Sequence, residues 1–302
     1  MMKRRHAIAY IGLFFLWLTG CTLFKRRSPP QSNPATLHEL NRLRFAVTDV
    51  QGEEQLKRDY EQFRQLLEEV LEKKIDFVPV QHYTDAAIAL QLNKVDLVLA
   101  GPSEYFLIST RSRELPILSI TRPNYYSAIA VAAVSGIKSL SDLKGKTIAM
   151  VKVGSTSGHL GTTKLLLDAG LNPKSDCKIV MLGREGSLEA LKNGEVDAWG
   201  GSLTDYQTFF NSEEFSETDF PIIARGELLP DDIFLVNQQL GEEFAREIKT
   251  RMFDAQDKLL TAIAATEGNQ KYRNSRFVEF DASQYEAIVH LYHNFGYTDS
   301  LP

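Results

Sequence analysis

The sequence predicts a two-lobed α/β fold, and three observations carry that expectation. From Leu40 onward short apolar runs alternate with amphipathic segments, the pattern of strands joined by covering helices. The alternation completes one set near residue 130 and then begins again. The chain finally returns to one more apolar run, 231–237, followed by long helical stretches, which are expected to complete the first lobe.

In the first set, LRFAVT (43–48) reads as a strand. EEQLKRDYEQFRQLLEEVLEKK (53–74) reads as a helix, because Leu56, Tyr60, Phe63, Leu66, Leu67, Val70 and Leu71 recur at helical spacing. IDFVPV is a second strand, and YTDAAIALQLN a helix with Thr84 or Asp85 available as its cap. VDLVLAG is nearly all apolar, as expected of a parallel strand covered on both faces. Strands and helices in this order make a doubly wound unit. In the second set, YYSAIAVAA (125–133) is a strand, and SLSDLKGKTIAMV holds a short helix and a strand. The helix after Ser155-Thr156-Ser157-Gly158 stops at Gly170, with Pro173 beyond it. KIVMLG, GSLEALKNG and VDAWGGS follow as strand, helix and strand, and the junction NKVDL of the first half returns as NGEVDA in the second. EEFAREIKTRMFDAQDKLLTAIAAT and SQYEAIVHLYHNF are long helical segments. The expected division is 40–130 plus 225–302 for lobe 1 and 131–224 for lobe 2. Two crossovers between the lobes can serve as a hinge.

Residues 1–20 carry a basic start (Lys3, Arg4, Arg5), an apolar run too short to span a bilayer comfortably, and small residues before Cys21. Leu18-Thr19-Gly20-Cys21 resembles a bacterial lipobox, so cleavage before Cys21 and lipid on its thiol are expected; an uncleaved anchor is the alternative. Either way the body lies outside the cytoplasm, at the periplasmic or cell-surface face of the membrane. Residues 21–39 are Pro-, Ser- and Arg-rich without periodicity and read as a tether. Cys177 is then the one thiol left, so no internal disulfide is expected, and it reads as a small packing residue. Losing residues 1–20 removes three positive charges and no negative ones, which takes the net charge from −5 to −8. That acidity argues against a nucleic-acid partner but leaves room for a small anion held by local donors.

In open α/β sheets ligands sit beyond the carboxyl ends of strands, where helix N-termini converge. Three places qualify. In VKVGSTSGHLG (151–161) a helix N-terminus offers unpaired N–H groups, Ser155, Thr156 and Ser157 add hydroxyls, and Gly158 permits close backbone approach. These residues alone fit a plain capped helix as well as an anion socket. In Gly101–Tyr105 the Tyr105 hydroxyl could meet a ligand, or its ring could simply pack. In Gly183–Ser187 Arg184 could clamp an oxyanion in two-pronged fashion, or pair with an acid on the surface. Catalysis finds no support: Thr156 stands where a nucleophile elbow needs Ser, and no Gly-rich phosphate loop with Lys appears. His290 and His293 lack a third ligand, so neither metal nor cofactor is expected.

VDLVLAGPSEY, LSDLKGKTIAMVKVGSTSGHL and SLEALKNGEVDAWGGS together resemble the phosphonate/phosphite-binding proteins of ABC transporters. The resemblance implies a type II periplasmic-binding-protein fold, with a mixed sheet flanked by helices in each lobe. It implies that the Ser155-Thr156-Ser157-Gly158 turn holds a phosphorus oxyanion such as phosphite or methylphosphonate, with a hydrogen bond from Tyr105. The family often carries a His where this chain has Arg184, so a permanent cation meets the anion, or His159 takes that part. The resemblance also points to Asp49 and Asp205 as acids that read a ligand proton or an ammonium group. The implied partners are an ABC permease and its ATPase, with the protein a monomer. A binding protein for another oxyanion (phosphate, a sulfonate) and a ligand-sensing partner of a membrane receptor are the alternatives.

Overall fold

The computed structural model describes residues 40–50, 52–82, 85–212 and 218–294, all within the unit Pro34–Pro302. The expected signal segment, tether and Cys21 lie outside the described residues.

The first run of elements is β1 (Arg42–Val47), α1 (Glu53–Leu71), β2 (Lys74–Phe77), α2 (Asp85–Gln91), β3 (Leu97–Ala100), α3 (Pro102–Arg111) and β4 (Glu114–Ile120). The second is β5 (Tyr126–Val131), β6 (Thr147–Met150), α4 (Thr162–Asp168), β7 (Lys178–Met181), α5 (Arg184–Lys192), β8 (Ala198–Ser202), α6 (Leu203–Ser212) and β9 (Ile222–Leu228). The chain then adds β10 (Asp232–Asn237), α7 (Glu242–Asp254), α8 (Gln256–Ile263), β11 (Phe277–Val278) and α9 (Glu286–Asn294). Two sheets result, with strand orders β11-β4-β10-β3-β1-β2 and β7-β6-β8-β5-β9. Each has a parallel core, β2-β1-β3 or β7-β6-β8, and each takes one crossing strand antiparallel beside it. That strand is β10 in the first sheet and β5 in the second.

The repeated Val-Asp junction has a physical job. Asp96 accepts from the Arg44 N–H at 2.8 Å and pairs with the Arg44 guanidinium at 2.7 Å. Asp197 accepts from the Thr147 N–H at 2.8 Å and pairs with Lys146 at 3.4 Å. In both lobes the carboxylate locks the incoming strand into register with the central strand of its parallel core, β1 or β6. The turn before it ends in left-handed backbone, at Asn93 (φ 53°) in one lobe and Gly194 (φ 73°) in the other.

Helix α1 buries Leu56, Tyr60, Phe63, Leu67 and Leu71 in the lobe 1 core with Phe45, Phe234 and Phe244. Lobe 2 has its own core, in which Trp199 and Tyr206 pack beside Leu188, Leu191 and Phe210.

Two expectations need correction, and two strands had none. The lobe boundaries after residues 130 and 224 fall inside β5 and β9, yet both strands lie whole in the second sheet, β5 pairing with β9 from Tyr126↔Leu228. The chain therefore changes sheets at 121–125 and 229–231. The helix read over 242–266 breaks at Ala255, where φ is −104°, so that α7 lies on β4 and α8 on α1. Strands β4 and β9 had no expectation, because Pro116 interrupts one, and the other is a half-exposed edge carrying Arg225 and Glu227.

Candidate functional site: the cleft between the lobes

After β6 the chain enters a wide helical turn, Thr156–Gly161, that runs directly into α4. Ser155 caps it: its Oγ accepts from the Gly158 N–H at 3.2 Å. The Ser155 carbonyl accepts from His159 at 3.1 Å and from Leu160 at 2.9 Å, the second bond giving the turn its extra width. Two glycines make the approach possible. A Cβ on Gly158 would stand 2.3 Å from Val151 Cγ2, and one on Gly161 would stand 1.8 Å from Ser127 Oγ. The Ser157 carbonyl accepts from Ser127 Oγ at 3.1 Å and from Thr162 Oγ1 at 3.0 Å. The turn is thereby fixed, while the N–H groups of Thr156 and Ser157, in its first positions, have no acceptor within the helix.

Lobe 1 meets this turn directly. Thr156 Oγ1 donates to Ser103 Oγ at 2.9 Å and accepts from the Ser103 N–H at 3.1 Å. Ser103 Oγ donates in turn to the buried Glu104 carboxylate at 2.8 Å. Burial pushes the Glu104 carboxyl up to about 7. Beside these bonds, Leu160 joins Phe106, Leu107 and Ile288 of lobe 1 in a small apolar cluster.

The lobe 1 wall is a buried ionic cluster. Asp49, at the end of β1, accepts from the Tyr60 hydroxyl at 3.4 Å and pairs with Lys271. Lys271 Nζ is 3.9 Å from Asp232, which also accepts from the Tyr272 hydroxyl at 2.7 Å and lies 3.5 Å from Arg122. The side chains of Lys271, Asp232 and Arg122 are 4%, 4% and 9% exposed, so these charges have left water. Burial pulls the Lys271 ammonium down to about 7 and pushes the Asp232 carboxyl up against the pull of Arg122. The Arg122 guanidinium lies 3.4 Å over the Tyr125 ring.

Arg184, at the start of α5, is 43% exposed and lies 3.6 Å from Asp205. Its charge acts on Tyr60 across the cleft and on Lys152, just ahead of the hydroxyl turn. Burial, then the charge of Arg184, lowers the Lys152 ammonium to about 8. Two cations thus stand together beside a turn rich in donors.

Of the residues singled out in the sequence, Ser155, Thr156, Ser157, Gly158, Arg184, Asp205 and Asp49 come together around this cleft. Tyr105 and His159 do not. Tyr105 sits edge-on against Phe280 and Tyr285 in the lobe 1 packing. His159 is buried behind the turn, in a pocket with Met150, Thr163 and Cys177, and its Nδ1 accepts from the Gly154 N–H at 3.0 Å. Burial lowers its imidazole to about 4, so it is neutral there and braces the turn from behind. Arg122, Lys152, Lys271 and Asp232 carried no local signal: each is a charged residue in a crossover, a loop, a helix end or a strand start. Among the described residues no group of three His, Cys, Asp or Glu side chains is placed to hold a metal ion.

Over residues 45–285 the sequence matches the family described as the periplasmic substrate-binding protein of phosphonate ABC transporters. The chain belongs to that family. Its members are binding proteins that work with an ABC permease and its ATPase, in the periplasm or at the outer face of the membrane. The phosphate-import protein PhnD of Mycolicibacterium smegmatis is 26% identical over 230 residues, 70% of this chain and 71% of the relative. The probable phosphite-binding protein PhnD1 of Prochlorococcus marinus is 23% identical over 292 residues, 87% of this chain and 91% of the relative. The structure of that species' PhnD1 in complex with methylphosphonate has a TM-score of 0.71 at 17% identity, covering 85% of this chain and 98% of the other. The fold is the type II periplasmic-binding-protein fold that the sequence led us to expect.

Proposed function

We propose that this protein captures phosphite or a short phosphonate such as methylphosphonate in the cleft, and releases it unchanged to its permease. The observation that carries this reading is the turn at 155–158, with hydroxyls and first-turn N–H groups held rigidly beside the neighbouring cations Lys152 and Arg184. A tetrahedral oxyanion matches that set, because each oxygen can take two or three donors. The similar proteins above are named for phosphate, phosphite or methylphosphonate, all tetrahedral phosphorus oxyanions.

In this reading Ser155, Ser157 and the N–H groups of Thr156 and Ser157 hold the oxygens, and Asp205 orients Arg184 above them. Gly158 allows the close turn, and the Thr156 hydroxyl closes the cleft through Ser103. Asp49 stays tied to Lys271, Tyr105 supports α3 from behind, and His159 braces Gly154. The protein is a monomer held to the membrane by lipid on Cys21, and it performs no chemistry.

Calorimetric titration with phosphite, methylphosphonate, phosphate and sulfate tests the assignment. Ser157→Ala is expected to weaken binding of the phosphorus anions about tenfold to a hundredfold, since a hydrogen bond to a charged group is worth about 1.5–3 kcal/mol. Tighter binding of sulfate than of every phosphorus anion, or unchanged affinity in Ser157→Ala, would overturn it. Cys21→Ser should abolish lipid labelling; unchanged labelling would reject the anchor.

A further inference from the structure

The first crossover carries a charge that the protein leaves underused. Arg122 is nine-tenths buried, yet among the described residues its guanidinium makes one hydrogen bond, a long one of 3.5 Å to Asp232. Its Nε–H is buried with no hydrogen-bond partner among the described residues. Asp232 is already shared with Tyr272 and Lys271, and the adjacent Asp231 takes the Arg122 backbone N–H at 2.9 Å, not the side chain. A buried donor without an acceptor is costly, and more so on a charged group.

The position points to what the guanidinium is for. Stacking on Tyr125 fixes its plane and leaves its edge to bond. The Tyr125 hydroxyl faces the Ser157 side chain of the turn. The Arg122 charge acts on Glu104 in lobe 1 and feels Asp205 in lobe 2, so it stands between the lobes. A second buried donor without a partner among the described residues, Ser202 Oγ, belongs to the same neighbourhood: Ser202 pairs in register with Ser127, whose hydroxyl bonds the Ser157 carbonyl.

We infer that Arg122 is itself a binding residue for the oxyanion, its Nε–H and guanidinium edge giving the charged, planar contact that the neutral donors of the turn lack. The inference rests on the oxyanion reading above. It moves the principal cation from Arg184, which is half exposed and already faces Asp205, to a residue on the hinge. An anion bonded there touches the crossover and the lobe 2 turn at once, so binding and the angle between the lobes are coupled through one side chain.

The test is calorimetry on the full chain with phosphite, methylphosphonate, sulfate and methanesulfonate, using Arg122→Gln, Arg122→Lys and Asp231→Ala. Arg122→Gln should weaken binding about thirtyfold or more, the scale for removing one partner of a buried charge pair. Arg122→Lys, which keeps the charge and loses the planar fork, should weaken it about tenfold. Asp231→Ala removes the acceptor that ties the two crossovers and should stay within about twofold. Affinity within threefold of the parent in folded Arg122→Gln overturns the inference, as does equal loss in Asp231→Ala, which would make Arg122 a hinge tie only. If Arg122→Gln does not fold, parental affinity in Arg122→Lys overturns it instead. The two readings separate on the parent protein. If it prefers sulfate or methanesulfonate, the phosphorus assignment fails, while loss of that anion by Arg122→Gln still upholds Arg122. If it binds none of the four, both fail.

Discussion

The loops after β1 and after β6 occupy matching places in the two lobes, each following a parallel strand and leading to a helix on the cleft side. They solve opposite problems. The loop after β1 ends at Gly52, with no side-chain cap on α1, and contributes Asp49, already neutralised by Lys271. The loop after β6 has a capping Ser155, two glycines in close contact and a run of hydroxyls, with cations beside it. Lobe 1 therefore presents charges that are mostly spent on each other, and lobe 2 presents donors held ready. An anion arriving in the open cleft should anchor on lobe 2 and recruit lobe 1 on closure.

The largest effect expected to sharpen this contrast comes from Lys271→Met. It leaves Asp49 without its cation and Asp232 with Arg122 as its one remaining cation among the described residues, and should cost about 3–5 kcal/mol of stability by urea denaturation. Arg184→Met, its exposed counterpart in lobe 2, should cost no more than about 1 kcal/mol. Equal costs would mean that the lobe 1 cluster is not the buried, compensated one described.

Glycines give the next contrast. Gly161→Ala drives a methyl into Ser127 and should destabilise by about 1–3 kcal/mol while disturbing the turn and weakening ligand binding. At Gly52 nothing among the described residues lies nearer than 3.9 Å, so Gly52→Ala faces only the penalty of its backbone, φ 81° with ψ 166°, about 1–3 kcal/mol, and should leave affinity intact. Affinity retained in Gly161→Ala would break the claim that close packing shapes the turn.

The two lobes should also answer pH with opposite signs. Glu104 has its folded value raised to about 7, so its contribution is fully present below about 4.5 and is lost as pH rises through 7. His159 has its folded value lowered to about 4, so its contribution is present above about 6.5 and is lost as pH falls through 4. Denaturation curves between pH 4 and 8 should show Glu104→Gln flattening the loss toward neutral pH and His159→Gln flattening the acid loss. A His159→Gln variant as acid-sensitive as the parent would show that the turn is not braced by a neutral imidazole.

The smallest expected effect is the coupling between the lobes. A double-mutant cycle of Ser103→Ala and Thr156→Val should give about 1 kcal/mol, the net worth of an ordinary hydrogen bond. Zero coupling in the ligand-bound form would remove this pair as a latch.

Much of this comparison was legible in the sequence. The Val-Asp junction repeats in plain letters, and its carboxylates bond the same strand position in both lobes. The hydroxyl run at 155–158 declared a helix start whichever way it was read, because small side chains at a strand-to-helix boundary have few other uses. Tyr105 and His159 were harder. A Tyr one turn into α3 can face either side, and the neighbours that decided, Phe280 and Tyr285, come from the far end of the chain. His159 follows the hydroxyls directly, but the extra width of the turn carries it behind them.

What the sequence alone determined is local: the strand and helix periods, the caps, the turn glycines and the motif that marks the family, all set by interactions within a few residues. Only the tertiary structure brought Asp49, Arg122, Asp232 and Lys271 to one point, from a strand end, a crossover, a second strand and a helix near the end of the chain. Periodicity cannot report such a meeting, because each charge taken alone is an ordinary surface residue. Its meaning comes from burial and from the partner that burial demands, and both are properties of the assembled sheets.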